Sequence, residues 1–312
     1  MPEFIGTLAT VRIMPLRFGM SALEFRDVAQ RVVVDGVPDF SRLDVVEIMR
    51  DVASEYPVLE LSSDVKYIIP SSLTEKTISS LAELRDELGH AYTVHLPYWS
   101  IELATFNEHI RKGGVDSTID AIELTKPLEP EAFVLHSTGD LAADFSTLSY
   151  SPTLVRLIST LLAGYAAASI EDIVSRTEIN PRKLAIENYK FPFDIMRELI
   201  DDLDTGICFD TAHLLSQMSG TESIMDFYRT HRNRITEIHL QDATFTNYGD
   251  AFAREDHLPL GKGIMGNTVL REFLLALIKD KFDGPIIFEL NKSETEESME
   301  YIRKTVPEAL AE

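Results

Sequence analysis

The sequence predicts a (β/α)8 barrel, in which eight parallel strands alternate with helices in a single domain over residues 1–312. Two observations predict this fold. Short runs rich in apolar and β-branched residues alternate along the chain with longer segments of helical period. The runs number eight, and their nearly continuous apolar character is typical of parallel strands that helices cover.

The predicted strands follow one another at the spacing of strand–helix units. They are residues 4–10, 56–62, 91–97, 132–137, 183–188, 206–210, 235–242 and 285–290. Amphipathic segments of helical period follow them, including residues 41–55, 74–89, 154–176, 194–203 and 266–280. The polar stretch 293–312 is interpreted as a terminal helix and tail.

An open, doubly wound sheet is the alternative fold for this alternating pattern. Such a sheet is expected to carry a glycine-rich turn after its first strand. The segment GTLATVRIMPL, at the end of the first predicted strand, has no such turn. The barrel therefore remains the preferred prediction.

The acidic composition limits the partners of the protein. Its formal net charge is -22, and its lysines and arginines form no cluster in the sequence. Binding to duplex DNA normally requires a basic surface that neutralises phosphates. We therefore expect a small-molecule substrate rather than duplex DNA, with a divalent cation offsetting negative charge locally.

The sequence also suggests a compartment. The N-terminal segment MPEFIGTLAT lacks the basic region and apolar core of a signal peptide, and we expect no apolar run to reach the length of a membrane span. The single cysteine, Cys208, excludes an internal disulfide, and its place in a strand favours a small buried side chain over a nucleophile. We expect a cytoplasmic protein.

Polar side chains stand at the C-terminal ends of six predicted strands. They are His95, His136, Glu187 with Asn188, Asp210 with His213, His239 with Asp242, and Glu289. The loop after the seventh strand adds Glu255, Asp256 and His257. Because the C-terminal strand ends of a barrel meet at one mouth, these groups are expected to share one cavity.

Five of the eight histidines belong to this set, and we expect the other three, His90, His109 and His231, to be solvated. One histidine at a strand end is usually an ordinary packed or rim residue. Several carboxylates in one cavity, however, cannot all be ionised without a counter-charge, which a divalent cation supplies.

The donor types narrow the choice of metal. Imidazole and carboxylate groups without thiolate suit Zn, Mn, Fe or Co. The donors also exceed the number that one ion needs. Either several ions share bridging carboxylates, or some of these side chains bind substrate.

Seven segments resemble the xylose isomerase-like TIM barrels, a superfamily that includes sugar isomerases, sugar epimerases and the family 2 AP endonucleases. The segments are VHLP, VLHS, AIENYKF, CFDTAHLL, EIHLQDA, DHLPLGKGIMG and IIFELN. They occur in the expected order over residues 91–291, one for each strand from the third onward.

The resemblance implies a ligand set that both branches share. It comprises Glu187, Asp210, His239 and Glu289. In the isomerases this set surrounds one metal, the two glutamates also move a proton, and the histidine at the position of His213 contacts the substrate.

The endonuclease branch is similar in more places, and it implies up to three zinc ions. By resemblance, the first ion would be held by His95, His136 and Glu187. The second would be held by the shared set, and the third by His213, Glu255 and His257. Such a cluster polarises a phosphate, generates hydroxide near neutral pH and stabilises the leaving oxygen.

The sequence departs from that branch in two respects. The family usually has aspartate at the position of Glu255, and Asp256 could replace it only by a register shift. The basic loops that clamp DNA are also missing, as the segments SSDVKYIIPSS and TGDLAADFSTLSYSP show. A smaller phosphoester fits better, and YTVHLP followed by VLHS is similar to the cobamide-remodelling phosphodiesterases.

Two functional hypotheses follow. The first is a metal-dependent phosphoester hydrolase, with zinc as the metal that the resemblance implies, in which Glu187 or Glu289 orients or deprotonates the attacking water. The second is a sugar or sugar-phosphate isomerase or epimerase with one Mn or Co ion, in which the same glutamates shuttle a proton. A barrel without catalytic activity would leave the complete donor set unexplained.

Four further residues are assigned to substrate binding. Tyr98 and Trp99 either stack on a ring of the substrate or pack a loop. Asn188 adjoins Glu187, and Lys262 could meet a substrate phosphate, although a solvated lysine is the simpler interpretation.

Overall fold

The computed structural model describes residues 16–23, 25–148, 150–249 and 252–310. Its centre is a closed barrel of eight parallel strands, in which each strand pairs with the next and the last pairs with the first. In chain order the strands are β1 Arg17–Ser21, β2 Val58–Ser62, β3 Ala91–His95, β4 Phe133–Leu135, β5 Leu184–Glu187, β6 Gly206–Asp210, β7 Ile235–His239 and β8 Pro285–Phe288. The predicted (β/α)8 fold is therefore confirmed.

The first strand lies at a different place from the prediction. The predicted strand 4–10 lies outside the described residues, and the barrel strand that precedes β2 is Arg17–Ser21. A Cβ atom added to Gly19 in this strand would lie 2.2 Å from the carbonyl oxygen of Val58. Close pairing with its neighbours, which a sequence pattern does not display, defines this strand. Strands β2 to β8 all fall within the predicted runs.

Helices surround the barrel and follow its strands. They are α1 Phe25–Val32, α2 Val45–Ala53, α3 Val65–Ile68, α4 Glu75–Leu88, α5 Glu108–Thr125, α6 Asp140–Ser146, α7 Pro152–Thr177, α8 Phe193–Asp202, α9 Thr211–Leu215, α10 Ile224–His231, α11 Gly266–Asp280 and α12 Lys292–Thr305. Short 3-10 helices occupy Phe40–Arg42, Lys126–Leu128, Pro181–Lys183 and Pro307–Leu310.

Two antiparallel hairpins lie outside the barrel, near the C-terminal ends of its strands. The first pairs Val33–Val34 with Val37–Pro38, and the second pairs Asp242–Asn247 with Phe252–Leu258. The second hairpin directly follows β7, so it carries its far strand back toward the barrel mouth.

Side chains on the strands alternate between the helices and the barrel interior. Phe133, Ile186 and Phe209 pack outward in the main hydrophobic core with side chains from the helices. Ala185 and Cys208 belong to a separate small cluster between the strands. The small size of this inner cluster leaves room for polar side chains in the barrel interior.

Helix α7 corrects the expectation that no apolar run is long enough to span a membrane. Within the described part of the chain, α7 is the one helix whose length and apolar composition would allow it to cross a membrane. Its buried face, including Leu162, Ala166 and Ile170, packs in the core of the barrel. Long core helices of globular domains also have this length and composition, so one such helix is weak evidence for a membrane span.

Candidate metal centre at the barrel mouth

The structure brings the predicted strand-end residues together at one mouth. His95, Glu187, Asp210 and His239 are each the last residue of a barrel strand, and Glu289 follows the last residue of β8. Parallel strands in one barrel place these ends side by side; Asp210, for example, pairs directly with His239. All of them except Glu289 are buried. The predicted convergence is thus a consequence of the fold.

Glu187 lies at the centre of the cluster and faces four histidines. Its Oε2 lies 2.7 Å from Nε2 of His136 and 3.4 Å from Nε2 of His95. Its Oε1 lies 3.0 Å from Nδ1 of His213 and 3.6 Å from Nδ1 of His239. One carboxylate therefore has each oxygen next to a different pair of imidazoles, as a bridging ligand requires.

Asp210 positions His213 through the backbone. Its Oδ1 accepts the backbone N–H of His213 at 2.6 Å, which makes Asp210 the N-cap of α9. Asn188 anchors Asp210 in turn, because its side chain accepts the Asp210 N–H at 2.7 Å and donates to the Asp210 carbonyl at 2.9 Å. The Asn188 amide also donates to Ser219. These bonds commit Asn188 to the protein and support a positioning role.

Glu289 closes the other side of the cluster. Its Oε2 lies 3.0 Å from Nδ1 of His239 and 3.1 Å from Nε2 of His257. Gln241 joins two carboxylates, since its Nε2 donates to Asp210 at 2.8 Å and to Glu289 at 3.1 Å. Its Oε1 also accepts the backbone N–H of Glu289. Gln241 is not among the residues predicted from the sequence, where its only signal is its position two residues after His239.

A β-bulge shapes the hairpin that supplies the remaining donors. Asp242 pairs with Leu258, whereas Thr244 pairs with Glu255, so one strand contains an extra residue between the two pairs. Such a bulge breaks the strict alternation of side chains along a strand. Asp256, the residue after Glu255, consequently lies at the same site as His257. The backbone φ of His257 is 53°, which is also unusual for a residue other than glycine.

The bulge decides between the two neighbouring acids. Glu255 is exposed and does not join the cluster. Asp256 does, because its carboxylate lies 3.4 Å from Nδ1 of His257 and 3.9 Å from Nε2 of His213. The geometry therefore favours Asp256 over Glu255 beside these two histidines, through the register shift that the sequence alone could only name as an alternative.

Burial and neighbouring charges shift the pKa values in the cluster in opposite directions. Burial alone would raise the pKa of Glu187, but His136, His213 and His239 hold that pKa well below its ordinary value. Burial opposes a charged His95, yet neighbouring carboxylates, Glu187 above all, raise its pKa to about 10. A protonated His95 therefore faces an ionised Glu187 in this cluster.

The pKa values of Asp210 and Glu289, the other two carboxylates of the shared set, are shifted in opposite directions. Burial raises the pKa of Asp210. Burial also opposes the ionised form of Glu289, but His239 and His257 hold the pKa of Glu289 well below its ordinary value. Among the histidines, burial lowers the pKa of His136. Opposite shifts within one cavity are typical of functional sites.

The donor atoms fit divalent metal ions. Three groups of side chains lie at the mouth, and within each group the ligand atoms all lie within 4.8 Å of one another. Glu187 belongs to two of these groups, and Asp210 also belongs to two. The groups are His95, His136 and Glu187; Glu187, Asp210, His239 and Glu289; and Asp210, His213 and His257. Oε1 of Glu187 and the ring nitrogens of His213 and His239 are buried and make no hydrogen bond despite their short separations. A shared cation would satisfy these atoms.

Two further buried carboxylates, those of Glu60 and Glu237, lie beneath the mouth. Oε2 of Glu60 lies 3.4 Å from Nε2 of His239, the ring nitrogen that faces away from Glu289. Glu60 and Glu237 are both fully buried, and none of their carboxylate oxygens has a hydrogen-bond partner. Burial and the nearby Glu60 raise the pKa of Glu237 well above its ordinary value. The sequence does not show which way either side chain points, because both stand within apolar strands.

Aromatic side chains border the histidines. The Tyr98 ring lies 4.6 Å from the ring of His136, and the Tyr189 ring stacks on the same imidazole at 4.2 Å. Trp99 is exposed at the rim. The Asp64 carboxylate accepts the backbone N–H groups of Tyr98 and Trp99 at 3.2 and 3.3 Å and so holds this loop over the mouth. Both residues of this loop line cavities that adjoin the cluster.

The structure does not bring Lys262 to the cluster. Its Nζ lies 2.7 Å from Glu297 at the surface. The surrounding glycine-rich turn instead serves Asp242, whose carboxylate accepts the backbone N–H groups of Gly261 and Gly263. A Cβ atom on Gly263 would lie 2.1 Å from the Ala243 carbonyl oxygen. Gly263 is therefore required for a structural reason, since a side chain here would clash with the backbone.

The three remaining histidines divide into two environments. His109 is exposed, as expected. His90 and His231 are buried, which corrects the expectation that they are solvated. Their rings pack against Tyr92 and Phe227, with centroids 4.6 and 4.7 Å apart, and burial lowers the pKa of both histidines.

Comparisons with known proteins agree with this architecture. The family described as "Xylose isomerase-like TIM barrel" matches residues 54–305. The "Uncharacterized protein MJ1311" of Methanocaldococcus jannaschii is 26% identical over 227 residues, which cover 70% of each chain.

Solved structures share the fold over nearly the whole chain. A D-tagatose 3-epimerase-like protein aligns with a TM-score of 0.67 and 22% identity, over 95% of this chain and 100% of that chain. Endonuclease IV from Thermus thermophilus aligns with a TM-score of 0.60 and 17% identity, over 94% and 99% of the respective chains. At these identities the similarity shows the fold alone.

Proposed function

The chain belongs to the xylose isomerase-like TIM barrel family, and within that family we propose that it is a divalent-metal-dependent phosphoester hydrolase with a multinuclear centre, preferentially of zinc. Its substrate is a small or nucleotide-bearing phosphoester. The ligands are the three donor groups at the mouth, which Glu187 and Asp210 link because each belongs to two of them. Asp256 completes the third group in place of Glu255.

The convergence of His95 and His136 on one oxygen of Glu187 carries this proposal. Nε2 of each lies within 3.4 Å of Glu187 Oε2, whereas His213 faces the other oxygen of the same carboxylate. A centre with one ion needs only the shared set of Glu187, Asp210, His239 and Glu289. Two additional buried imidazoles at a bridging carboxylate are explained by a further ion.

The chain's own residues supply position and proton transfer. Bound ions would polarise the phosphoryl group and stabilise the leaving oxygen. Glu289, which Gln241 and His257 hold in place, lies at the edge of the cluster and is the residue that we assign to orient or deprotonate the attacking water. The bond from its backbone N–H to Asp210 fixes the position of His213 in the first turn of α9.

The charge of the protein supports a small substrate. A net charge of -22 repels a long polyanion, whereas a single phosphoester is attracted by the local cation centre. Lys190 adds a positive charge beside the mouth, in a cavity that His136 also lines. Duplex DNA therefore remains an unfavourable partner in this proposal.

A sugar isomerase or epimerase with one Mn or Co ion is the second candidate. Glu187 and Glu289 favour it, because they face His95 Nε2 from two sides at 3.4 and 3.8 Å. Two carboxylates on either side of one carbon could move a proton between its faces. Under this hypothesis His95 and His136 bind substrate hydroxyls rather than an ion.

Metal stoichiometry tests the proposal together with phosphodiester cleavage. We expect two or three ions per chain by plasma mass spectrometry, and cleavage of bis(p-nitrophenyl) phosphate that a chelator abolishes. His136→Ala should remove about one ion per chain and lower cleavage by about 100-fold or more. His109→Ala, an exposed histidine, is the matched control and should change neither quantity.

One ion per chain without phosphodiester cleavage would refute the hydrolase. Proton NMR in deuterated water then tests the second candidate with a panel of keto-sugars and their phosphates. Incorporation of solvent deuterium next to the carbonyl would establish an isomerase or epimerase, and its absence from every sugar would count against that function.

A further inference from the structure

An apolar cavity of 330 Å³ adjoins the metal centre on the side of β1 and β2. His95 and Glu289 form part of its wall, so the cavity opens directly onto the donor cluster. Most of the other lining side chains are hydrocarbon. This combination of a charged end and an apolar body is unusual for a site that binds only sugars, whose hydroxyl groups require polar partners.

Two separate elements form the apolar wall. On one side, the segment that runs from α1 through the hairpin to the 3-10 helix Phe40–Arg42 contributes Val32, Val33 and Phe40. On the other side, α3 and the residue after it contribute Val65 and Ile69. Val32, Val65 and Ile69 are buried, whereas Phe40 is 50% exposed at the rim. The cavity thus has a closed apolar floor and an open apolar edge.

The acidic and imidazole side chains of this cavity are already engaged or lie at the metal end. Asp64 accepts two backbone N–H groups from the loop that carries Tyr98 and Trp99. His95 and Glu289 belong to the donor cluster. Among the described residues that line the cavity there is no lysine or arginine. A phosphate or a sugar placed here would find few partners away from the metal centre.

A second cavity, of 450 Å³, lies on the other side of the same aromatic loop. It has a different character, because Thr138, Asp140 and Lys190 contribute to its lining together with His136. Tyr98 and Trp99 line both cavities and separate them. The donor cluster therefore has an apolar compartment next to His95 and a polar one next to His136.

We propose that the substrate is an asymmetric phosphoester, with an apolar substituent in the cavity beside His95 and a polar substituent in the cavity beside His136. Cavities of about 150 Å³ with apolar walls bind benzene. A volume of 330 Å³ accordingly suits two fused aromatic rings or a branched hydrocarbon of similar size. The proposal rests on the proposed function for the reacting phosphoryl group.

Phosphonate binding tests the apolar compartment without any turnover. The probes are 1-naphthylphosphonate and methylphosphonate, titrated by calorimetry into the zinc-loaded full chain. Both carry the same head group for the metal centre, so the ratio of their affinities reports on the cavity. We expect the naphthyl compound to bind at least about tenfold more tightly, because its rings leave water for an apolar wall.

Variants on the wall locate this preference. Ala29, a partly buried residue of α1, lines the cavity, and Ala29→Leu fills part of its volume. Phe40→Ser removes an apolar side chain from the rim. Each substitution should reduce the ratio of the two affinities at least about fivefold. Leu157→Ser, which removes a 66% exposed leucine from α7, is the control and should leave the ratio unchanged.

The outcomes separate this inference from the proposed function. Equal affinities for the two phosphonates, or a preference that Ala29→Leu and Phe40→Ser do not reduce, would overturn the apolar compartment even in an active phosphodiesterase. A naphthyl preference that both substitutions reduce would support it, even if bis(p-nitrophenyl) phosphate is not cleaved and the hydrolase is refuted.

Discussion

The Asp210 carboxylate caps the helix that carries His213, accepting its backbone N–H at 2.6 Å. The two residues stand only three positions apart, so the strand end and the first turn of α9 together form one rigid unit. The side chains remain near each other, with Nδ1 of His213 3.6 Å from Asp210 Oδ1. A short local motif thus presents an acid and an imidazole to the same cavity.

Asn188 should act on the metals through Asp210. Asn188→Ala removes both bonds to the Asp210 backbone and leaves buried groups without partners. We expect a loss of about 1–3 kcal/mol in the free energy of unfolding of the metal-free protein. We also expect metal affinity to fall about 10–100-fold, measured by competition with a chromogenic chelator.

The control for Asn188 is another structural asparagine. Asn107 caps α5 at the surface, and Asn107→Ala should cost about 1 kcal/mol without any change in metal affinity. Unchanged metal affinity in Asn188→Ala would show that Asp210 does not depend on this anchor.

The two adjacent acids of the hairpin should behave differently. Asp256→Asn is expected to weaken binding of the third ion and to lower phosphodiester cleavage about 10–100-fold, because the carboxylate lies near His213 and His257. Glu255→Gln changes an exposed side chain and should retain the activity of the unmodified protein. The reverse result, with activity lost only in Glu255→Gln, would rule out the bulged arrangement as the active one.

Glu60 should orient His239 from below. Its carboxylate faces Nε2 at 3.4 Å, so it favours the tautomer in which Nδ1 is free for a metal. We expect Glu60→Gln to reduce metal affinity about 10–100-fold, as measured by isothermal titration. Because Glu60 has no hydrogen-bond partner that the substitution would break, its effect on metal affinity should exceed its effect on the thermal stability of the metal-free protein.

A purely structural role for Glu60 predicts the opposite pattern, with a lower melting temperature and unchanged metal affinity. Glu55→Gln serves as the control, since Glu55 forms an exposed ion pair with Lys292. Its removal should have little effect on either measurement.

Metal binding should release protons at neutral pH. In the metal-free protein the carboxylates raise the pKa of His95 to about 10, so this imidazole must lose a proton to bind a metal. Apparent affinity should therefore rise about tenfold per pH unit for each proton released. Calorimetry in buffers of different ionisation enthalpy counts these protons, and an affinity that is independent of pH between about 6 and 8 would contradict the expectation.

The stability of the metal-free protein should depend on pH in two directions. The raised pKa of His95 contributes stability that is fully present below its unfolded value of about 6.5 and is lost as pH rises toward about 10. The lowered pKa of Glu187 contributes stability that is present above its unfolded value of about 4.3 and is lost in acid. Urea titrations of chelated protein should show both losses, and a flat profile from about pH 7 to 10 would contradict the first.

Much of the candidate metal centre could be predicted because the barrel converts chain position into spatial position. Each parallel strand ends at the same mouth, so His95, Glu187, Asp210 and His239 had to meet once the strands were recognised. Local hydrogen bonds did the same for His213. These relationships need only strand order and short-range geometry, which the sequence pattern displays.

Other features depended on contacts between distant segments. The first barrel strand is defined by pairing with β2 and β8 rather than by its own pattern. Asp256 reaches the site because the hairpin register shifts by one residue. Whether Glu60 faces the barrel interior depends on the closure of the sheet around it. None of these facts is encoded in local periodicity.

The sequence by itself determined the barrel and the chemical types gathered at its mouth, since a period of strands and helices places every strand end on one side. The tertiary structure alone decided which neighbouring acid faces the histidines, what supports His239 from below, and that an apolar cavity adjoins the cluster. The physical reason is that strand register, barrel closure and the placement of α1 and α3 around one cavity arise from long-range packing.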